Sequence, residues 1–109
     1  MTSRTGHIRA LNDQLRSTGS GGITVVTRGI AALSAQVLAA IIAAVQGFDD
    51  FSAANDPYGE HDCAVLEVAG QRVMFKIDYF DLAFNGHSAD PADPLLTLRV
   101  MTIILASEY

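Results

Sequence analysis

From Val73 to Tyr79 the side chains alternate, with Val73, Phe75, Ile77 and Tyr79 set off by Met74, Lys76 and Asp78. That two-residue period predicts a half-buried strand. Ala64, Leu66 and Val68 form a similar row on the preceding segment, interleaved with Cys63, Val65 and Glu67. The turn between the two rows lies at Ala69-Gly70. Side-chain parity then selects one register, in which Val68 pairs with Gln71, Glu67 faces Arg72, Leu66 faces Val73, Ala64 faces Phe75, Cys63 faces Lys76 and His61 faces Asp78. A slip of one residue would set Leu66 against Arg72 and mix the two faces. A two-residue type I′ turn needs positive φ at both positions, for which Ala-Gly is not the best pair, so a longer loop of the same parity stays open. One face of this hairpin is core, and the other presents Glu67, Arg72, Cys63, Lys76, His61 and Asp78 in a row.

Elsewhere the apolar positions recur at other spacings. Ile8, Leu11 and Leu15 give a narrow helical stripe over Thr2 to Arg16, predicting an edge helix. Ser17 to Gly22 is a flexible turn; it lacks the Lys-Ser/Thr pair of a phosphate loop and leads into a strand-like run. Ile23 to Arg28 is nearly all β-branched and predicts a strand, broken by Gly29. Ser34 caps a second helix that runs to Gln46 and stops at Gly47. Only Gln36 is polar between Ala35 and Val45, so this helix is expected to be buried or to join subunits. It is shorter than the ~20 residues of a membrane span, and no membrane association is expected. Phe48 to Glu60 and Asp81 to Asp93 read as long polar loops. Asp93 and Pro94 look like the start of a last helix ending near Ala106, with Leu95, Leu98, Met101 and Leu105 on its apolar face. The predicted order is α-β-α-β-β-α, an α+β fold of two layers: a small, mainly antiparallel three-stranded sheet with helices on one face.

Composition narrows the picture. A chain of 109 residues, half of them hydrophobic, is a single domain spanning 1–109 with enough apolar material for its own core. Cys63 is the only cysteine, which excludes an internal disulfide and a cysteine-based zinc cage and suits a reducing cytoplasm. Charge is unevenly placed. Residues 1–47 carry four arginines against Asp13, a net of +3, and residues 48–109 carry eleven acids against Arg72, Lys76 and Arg99, a net of −8. Phosphates would repel the second half, so nucleic acid is not expected there, whereas a basic protein partner is. The plainer account is that the acids keep a small apolar protein soluble.

Both long loops meet one edge of the hairpin, where Asp56, Glu60, His61, Asp62, Asp78, Tyr79, Asp81 and His87 are expected to converge. His61 opposite Asp78 would be an imidazole oriented by a carboxylate, as general-base catalysis requires, with Lys76 beside it to hold an oxyanion. His61 with two of Asp56, Glu60, Asp78 and Asp81 is also a possible divalent-metal set. The competing reading, which the sequence favours, is a histidine that staples loop backbone, with Asp56, Glu60, Asp62, Tyr79 and Asp81 forming a binding rim. On that reading no cofactor and no metal is expected. Cys63 reads as a core filler rather than a nucleophile.

Several motifs together resemble a known family. They are Asn-Asp-Pro-Tyr-Gly-Glu-His-Asp at 55–62, Lys-Ile-Asp-Tyr-Phe-Asp at 76–81, Asp-Pro-Ala-Asp-Pro at 90–94, the ending Leu-Thr-Leu-Arg-Val-Met-Thr-Ile-Ile-Leu-Ala-Ser-Glu-Tyr, and the opening Ile-Arg-Ala-Leu-Asn-Asp-Gln-Leu-Arg. They are similar to small bacterial proteins catalogued as a domain of unknown function and often encoded on plasmids and other mobile elements. In that family the strand after His-Asp usually opens with Phe-Gly, and an aromatic, often Trp, precedes the lysine. Here Cys63-Ala64 and Phe75 stand at those positions, which argues against a cysteine mechanism. The resemblance implies a cytosolic setting and a mobile-element context, and it supplies no activity. The expectation is therefore a non-enzymatic binding or regulatory protein of mobile elements, such as an inhibitor of host defence, acting through acidic loops. The alternatives are a small hydrolase or metal-dependent enzyme centred on His61, Asp78 and Lys76, and a homo-oligomer joined through helix 34–46.

Overall fold

The hairpin forms in the register that parity selects. Strands β2 (Cys63–Val68) and β3 (Gln71–Phe80) pair with Val68 opposite Gln71 and Cys63 opposite Lys76. Ala69 and Gly70 both take positive φ, 51° and 78°, the type I′ geometry whose twist matches that of the strands. No longer loop is needed. The computed structural model describes residues 3–109, so the Thr2 start of the first helix lies outside the described residues.

Helix α1 runs Arg4–Thr18, capped by the Ser3 hydroxyl, which accepts from the Gly6 amide, and closed by Gly19 in the left-handed region. Strand β1 (Ile23–Val26) follows, then a single helical turn, α2 (Arg28–Ala31), and helix α3 (Ala35–Gln46) with Ser34 as its cap.

The C-terminal segment overturns the expected helix. Leu98–Leu105 is strand β4, and Pro94 begins no helix: Asp93 instead accepts from the Leu95 amide in a tight turn. A short 3₁₀ turn, Ala106–Glu108, ends the chain. β4 lies between β1 and β3, parallel to the first and antiparallel to the second. The expected three-stranded, mainly antiparallel sheet is thus a four-stranded mixed one in the order β1-β4-β3-β2, and the chain reads α-β-α-α-β-β-β. A central strand is buried along much of both faces and reads as an unbroken apolar run, which periodicity alone does not separate from a buried helix.

The two-layer α+β architecture stands, with the helices on one face. The core lies between them and the inward row of the sheet: Leu15 of α1, Ile41 and Val45 of α3, and Val73, Phe75, Ile77, Met101 and Ile103. Phe48 and Phe51 close this core from the loop before β2, packing edge-on to Phe75. Helix α3, expected to be buried or to join subunits, is within one chain buried along one side only. Ile41 and Val45 point inward, whereas Gln36, Ala39, Ala40, Ile42 and Ala43 remain exposed.

Candidate functional site

His61 carries the largest departure from the expected site. Its φ is 54°, a left-handed conformation uncommon outside glycine, and β2 starts only at Cys63. The backbone therefore turns before His61 can extend the hairpin row, and its ring points at α1 instead of Asp78. Nδ1 lies 2.8 Å from Asp13 Oδ1, Nε2 lies 3.6 Å from Asp56 Oδ2, and the ring stacks on Phe51 at 3.8 Å. Because a carboxylate only accepts, the proton at Nδ1 is the one donated to Asp13. Arg16 donates to the same Asp13 oxygen at 2.8 Å and lies over the Phe51 ring. The left-handed turn is fixed in place by Asp56, 8 % exposed, which accepts from the His61 amide at 3.1 Å.

A second cluster lies beside it and is closed on itself. Asn12, fully buried on α1, donates to the Glu60 carbonyl at 3.0 Å and to the Tyr79 hydroxyl at 2.7 Å. Tyr79 passes a hydrogen bond on to the Glu60 carboxylate at 2.7 Å. Arg99, 1 % exposed, donates from Nε to Asn12 Oδ1 at 2.7 Å, reaches the Pro91 carbonyl with Nη2, and lies over the Tyr79 ring. Burial pushes the Tyr79 phenol well above its ordinary range, with the Glu60 charge adding to it, and burial pulls the Arg99 guanidinium down. Both amide hydrogens of Asn12, its carbonyl oxygen and both roles of the phenol are thereby satisfied.

The remaining expected residues separate. Lys76 and Asp78 face the open side of the sheet and pair with each other at 2.9 Å. Asp81 accepts from the Asn85 amide inside its own loop. Asp62 stays near the rim, where burial raises its pKa and the charges of Glu60, Asp56 and Asp78 raise it further. Burial likewise raises the Cys63 thiol, so little of it is thiolate. Among the described residues, no group of three or more His, Cys, Asp or Glu side chains is placed to hold a metal ion. Two shallow clefts adjoin the closed cluster: one of ≈ 460 Å³ between Arg4, Tyr58, Glu60, Tyr79, His87 and Ser88, and one of ≈ 400 Å³ between Asp62, Asp78, Phe80 and His87.

The face of the sheet away from the helices is a different kind of surface. A groove of ≈ 450 Å³ runs across it, lined by Ile23, Val25, Lys76, Asp78, Phe80 and Phe84. Ile23, Val25 and Phe84 are 46 %, 41 % and 57 % exposed. Phe84 is held at φ 61° with its ring stacked on Phe80 at 4.4 Å.

Residues 26–108 match the family described as protein of unknown function, DUF3768. The chain belongs to that family. No curated protein and no solved structure matches it. The matched range holds His61, Glu60, Tyr79, Lys76, Asp78 and Arg99, whereas Asn12, Asp13 and Arg16, which engage several of them from α1, precede it. Among the described residues, no helix of this family member is long and apolar enough to cross a membrane.

Asn12, Asp13, Phe51 and Arg99 are the residues that sequence reasoning did not single out. Arg99 left a signal, as the one charge in the run from Leu95 to Ala106, which is otherwise apolar but for two threonines. Asn12 and Asp13 left none for their links to the loop and to β4, because those partners lie 48 to 87 residues away along the chain.

Proposed function

We propose that the protein is a non-enzymatic binding protein whose working surface is the open face of the sheet. The observation that carries this reading is the exposed apolar groove: Ile23, Val25 and Phe84 stand in solvent beside one ion pair on a face that no helix covers. Holding a phenylalanine in the left-handed region costs about 1 kcal/mol or more, and here it leaves the ring at the lip of the groove. Contiguous exposed apolar surface on a small domain is characteristic of recognition sites.

The polar cluster supports the same reading from the other side. Both nitrogens of His61 face carboxylates and one ring face is covered by Phe51, so the imidazole has the surroundings of a staple and not of a free base. The acidic loops contribute less to docking than their charge suggests. Of the acids expected at the rim, Asp56 and Glu60 are engaged within the molecule and Asp81 within its own loop, which leaves Asp62.

Site-directed photo-crosslinking tests this reading. Phe84 and, as a control on the exposed side of α1, Gln14 are each replaced by benzoylphenylalanine in the full chain, and cells producing it are irradiated. A discrete adduct from position 84 and none from position 14 is the expected result. Absence of an adduct at 84, or the same adducts from both positions, rules the open face out as the working surface.

A further inference from the structure

Resting on that reading, we infer that the occupant of the open face is a second copy of this chain, packed face to face about a two-fold axis that crosses the strands at Ile77 and Met101. The argument begins with the ion pair. Lys76 and Asp78 are two residues apart on the same face of β3, a central strand, with their side chains 37 % and 43 % exposed. A two-fold axis lying between the two faces, perpendicular to the strands and level with Ile77, sets each residue 77 + k over 77 − k of the other copy. Lys76 then faces Asp78 of the other copy, and the reverse contact is generated automatically, as an isologous interface demands. An axis along the strands would instead set Lys76 over Lys76. The charges therefore choose between the two ways of stacking this sheet on itself.

The same operation pairs the apolar residues. Met74 falls over Phe80, at the end of the groove where Phe84 forms the lip, giving a sulfur–aromatic contact. On β4, Val100 and Thr102 exchange, since they lie opposite Asp78 and Lys76. On β1, Ile23 is level with Val100 and Val25 with Thr102, so Ile23 of one copy meets Val25 of the other. The two most exposed apolar side chains of β1 thereby cover each other. Aligned sheets pack about 10 Å apart, a gap that a lysine and an aspartate span together. The four strands are 4, 6, 10 and 8 residues long, and β2 pairs only with residues 71–76, to one side of the axis. At about 4.8 Å between strands and about 3.3 Å per residue the face is roughly 450 Å², so two copies bury less than about 900 Å², the size of a weak, reversible contact. The apolar rows supply the attraction and the crossed ion pairs fix the register.

The test is sedimentation of the purified full chain over a wide concentration range, with wild type, Lys76→Asp, Asp78→Lys, and an equal mixture of the two variants. Wild type is expected to dimerise. Each variant alone sets like charges together twice and should weaken self-association roughly 100-fold or more. In the mixture both contacts become opposite-charged again, so a heterodimer should form with affinity near that of wild type. Circular dichroism melts verify that each variant is folded. If either reversal unfolds the chain, Val25→Asp on the exposed edge strand takes its place, with loss of the dimer expected. A wild type that stays monomeric, a dimer indifferent to both reversals, or a mixture no better than its components overturns the inference. The crosslink separates the two claims. An adduct of twice the subunit mass supports both, an adduct of another mass from a monomeric protein removes only the second copy, and no adduct removes both.

Discussion

Arg99 shows how a single residue ties the site to the fold. It sits in the middle strand with its guanidinium in the core layer, donating to Asn12 and to the Pro91 carbonyl while its plane lies over Tyr79. Among the described residues no carboxylate touches it, so its burial rests on these neutral acceptors and on the nearby charge of Glu60. Arg99→Met would keep the volume and remove the donors, leaving two buried oxygens unsatisfied at about 1–3 kcal/mol each. We expect urea denaturation to show a loss of roughly 3 kcal/mol, with Arg99→Lys recovering little because an ammonium lacks the planar fork that serves both acceptors. A loss below about 1 kcal/mol would show that the network is incidental. Residue-scale legibility was uneven. The hairpin register and the outward placing of Lys76 and Asp78 were legible because period-two patterning is local, but His61 is displaced by one left-handed dihedral that no pattern announces.

At the scale of elements, the misread segment is Leu98–Leu105. Its apolar residues fit helical and strand spacing alike, and the β-branched run Thr102-Ile103-Ile104 was the signal that favours a strand. Helices α1 and α3 and the hairpin were legible because caps and alternation mark them independently of tertiary contacts. α2 was not, since one helical turn acquires its cap from the far end of the chain. Thr27 makes no side-chain cap of its own. Instead Glu108 accepts from the Gly29 amide at 3.0 Å, from the Thr27 hydroxyl at 2.6 Å and from the Leu105 amide at 3.0 Å. These bonds hold its pKa below the ordinary value of 4.5. A carboxylate lowered in the folded state contributes stability that is fully present above its unfolded pKa and is lost as pH falls through its folded one. Asp62, whose pKa is raised, has the opposite sign. Glu108→Gln should therefore lower the melting temperature near neutral pH and bring the two proteins together in acid. A gap that persists below the carboxylate range would mean that the glutamine keeps none of the bonds, and that packing rather than charge ties α2 to the C-terminus.

Across the whole molecule, α1 acts as a clasp over both long loops. Arg9 donates to the Gly59 carbonyl at 2.6 Å, Asn12 to that of Glu60, and Asp13 holds His61, all on the loop before β2. Arg4 pairs with Asp90, and Arg99 joins Asn12 to Pro91, on the loop before β4. Among the ion pairs of the described residues, Arg4–Asp90 is the one that joins an arginine of α1 to an acid of the second half, so these contacts are carried mainly by hydrogen bonds and not by the charge asymmetry. The Arg4–Asp90 pair is exposed and contributes little on its own, so the buried Asn12 is the node through which the loops are coupled. Replacing it by leucine keeps its size and removes three hydrogen bonds at once. Hydrogen exchange should then show faster opening of residues 49–62 and 86–97 together, while β3 and β4 keep their slow amides. Loosening of only the first loop would show that Arg99 holds the second without α1, and the clasp would reduce to a local staple around His61.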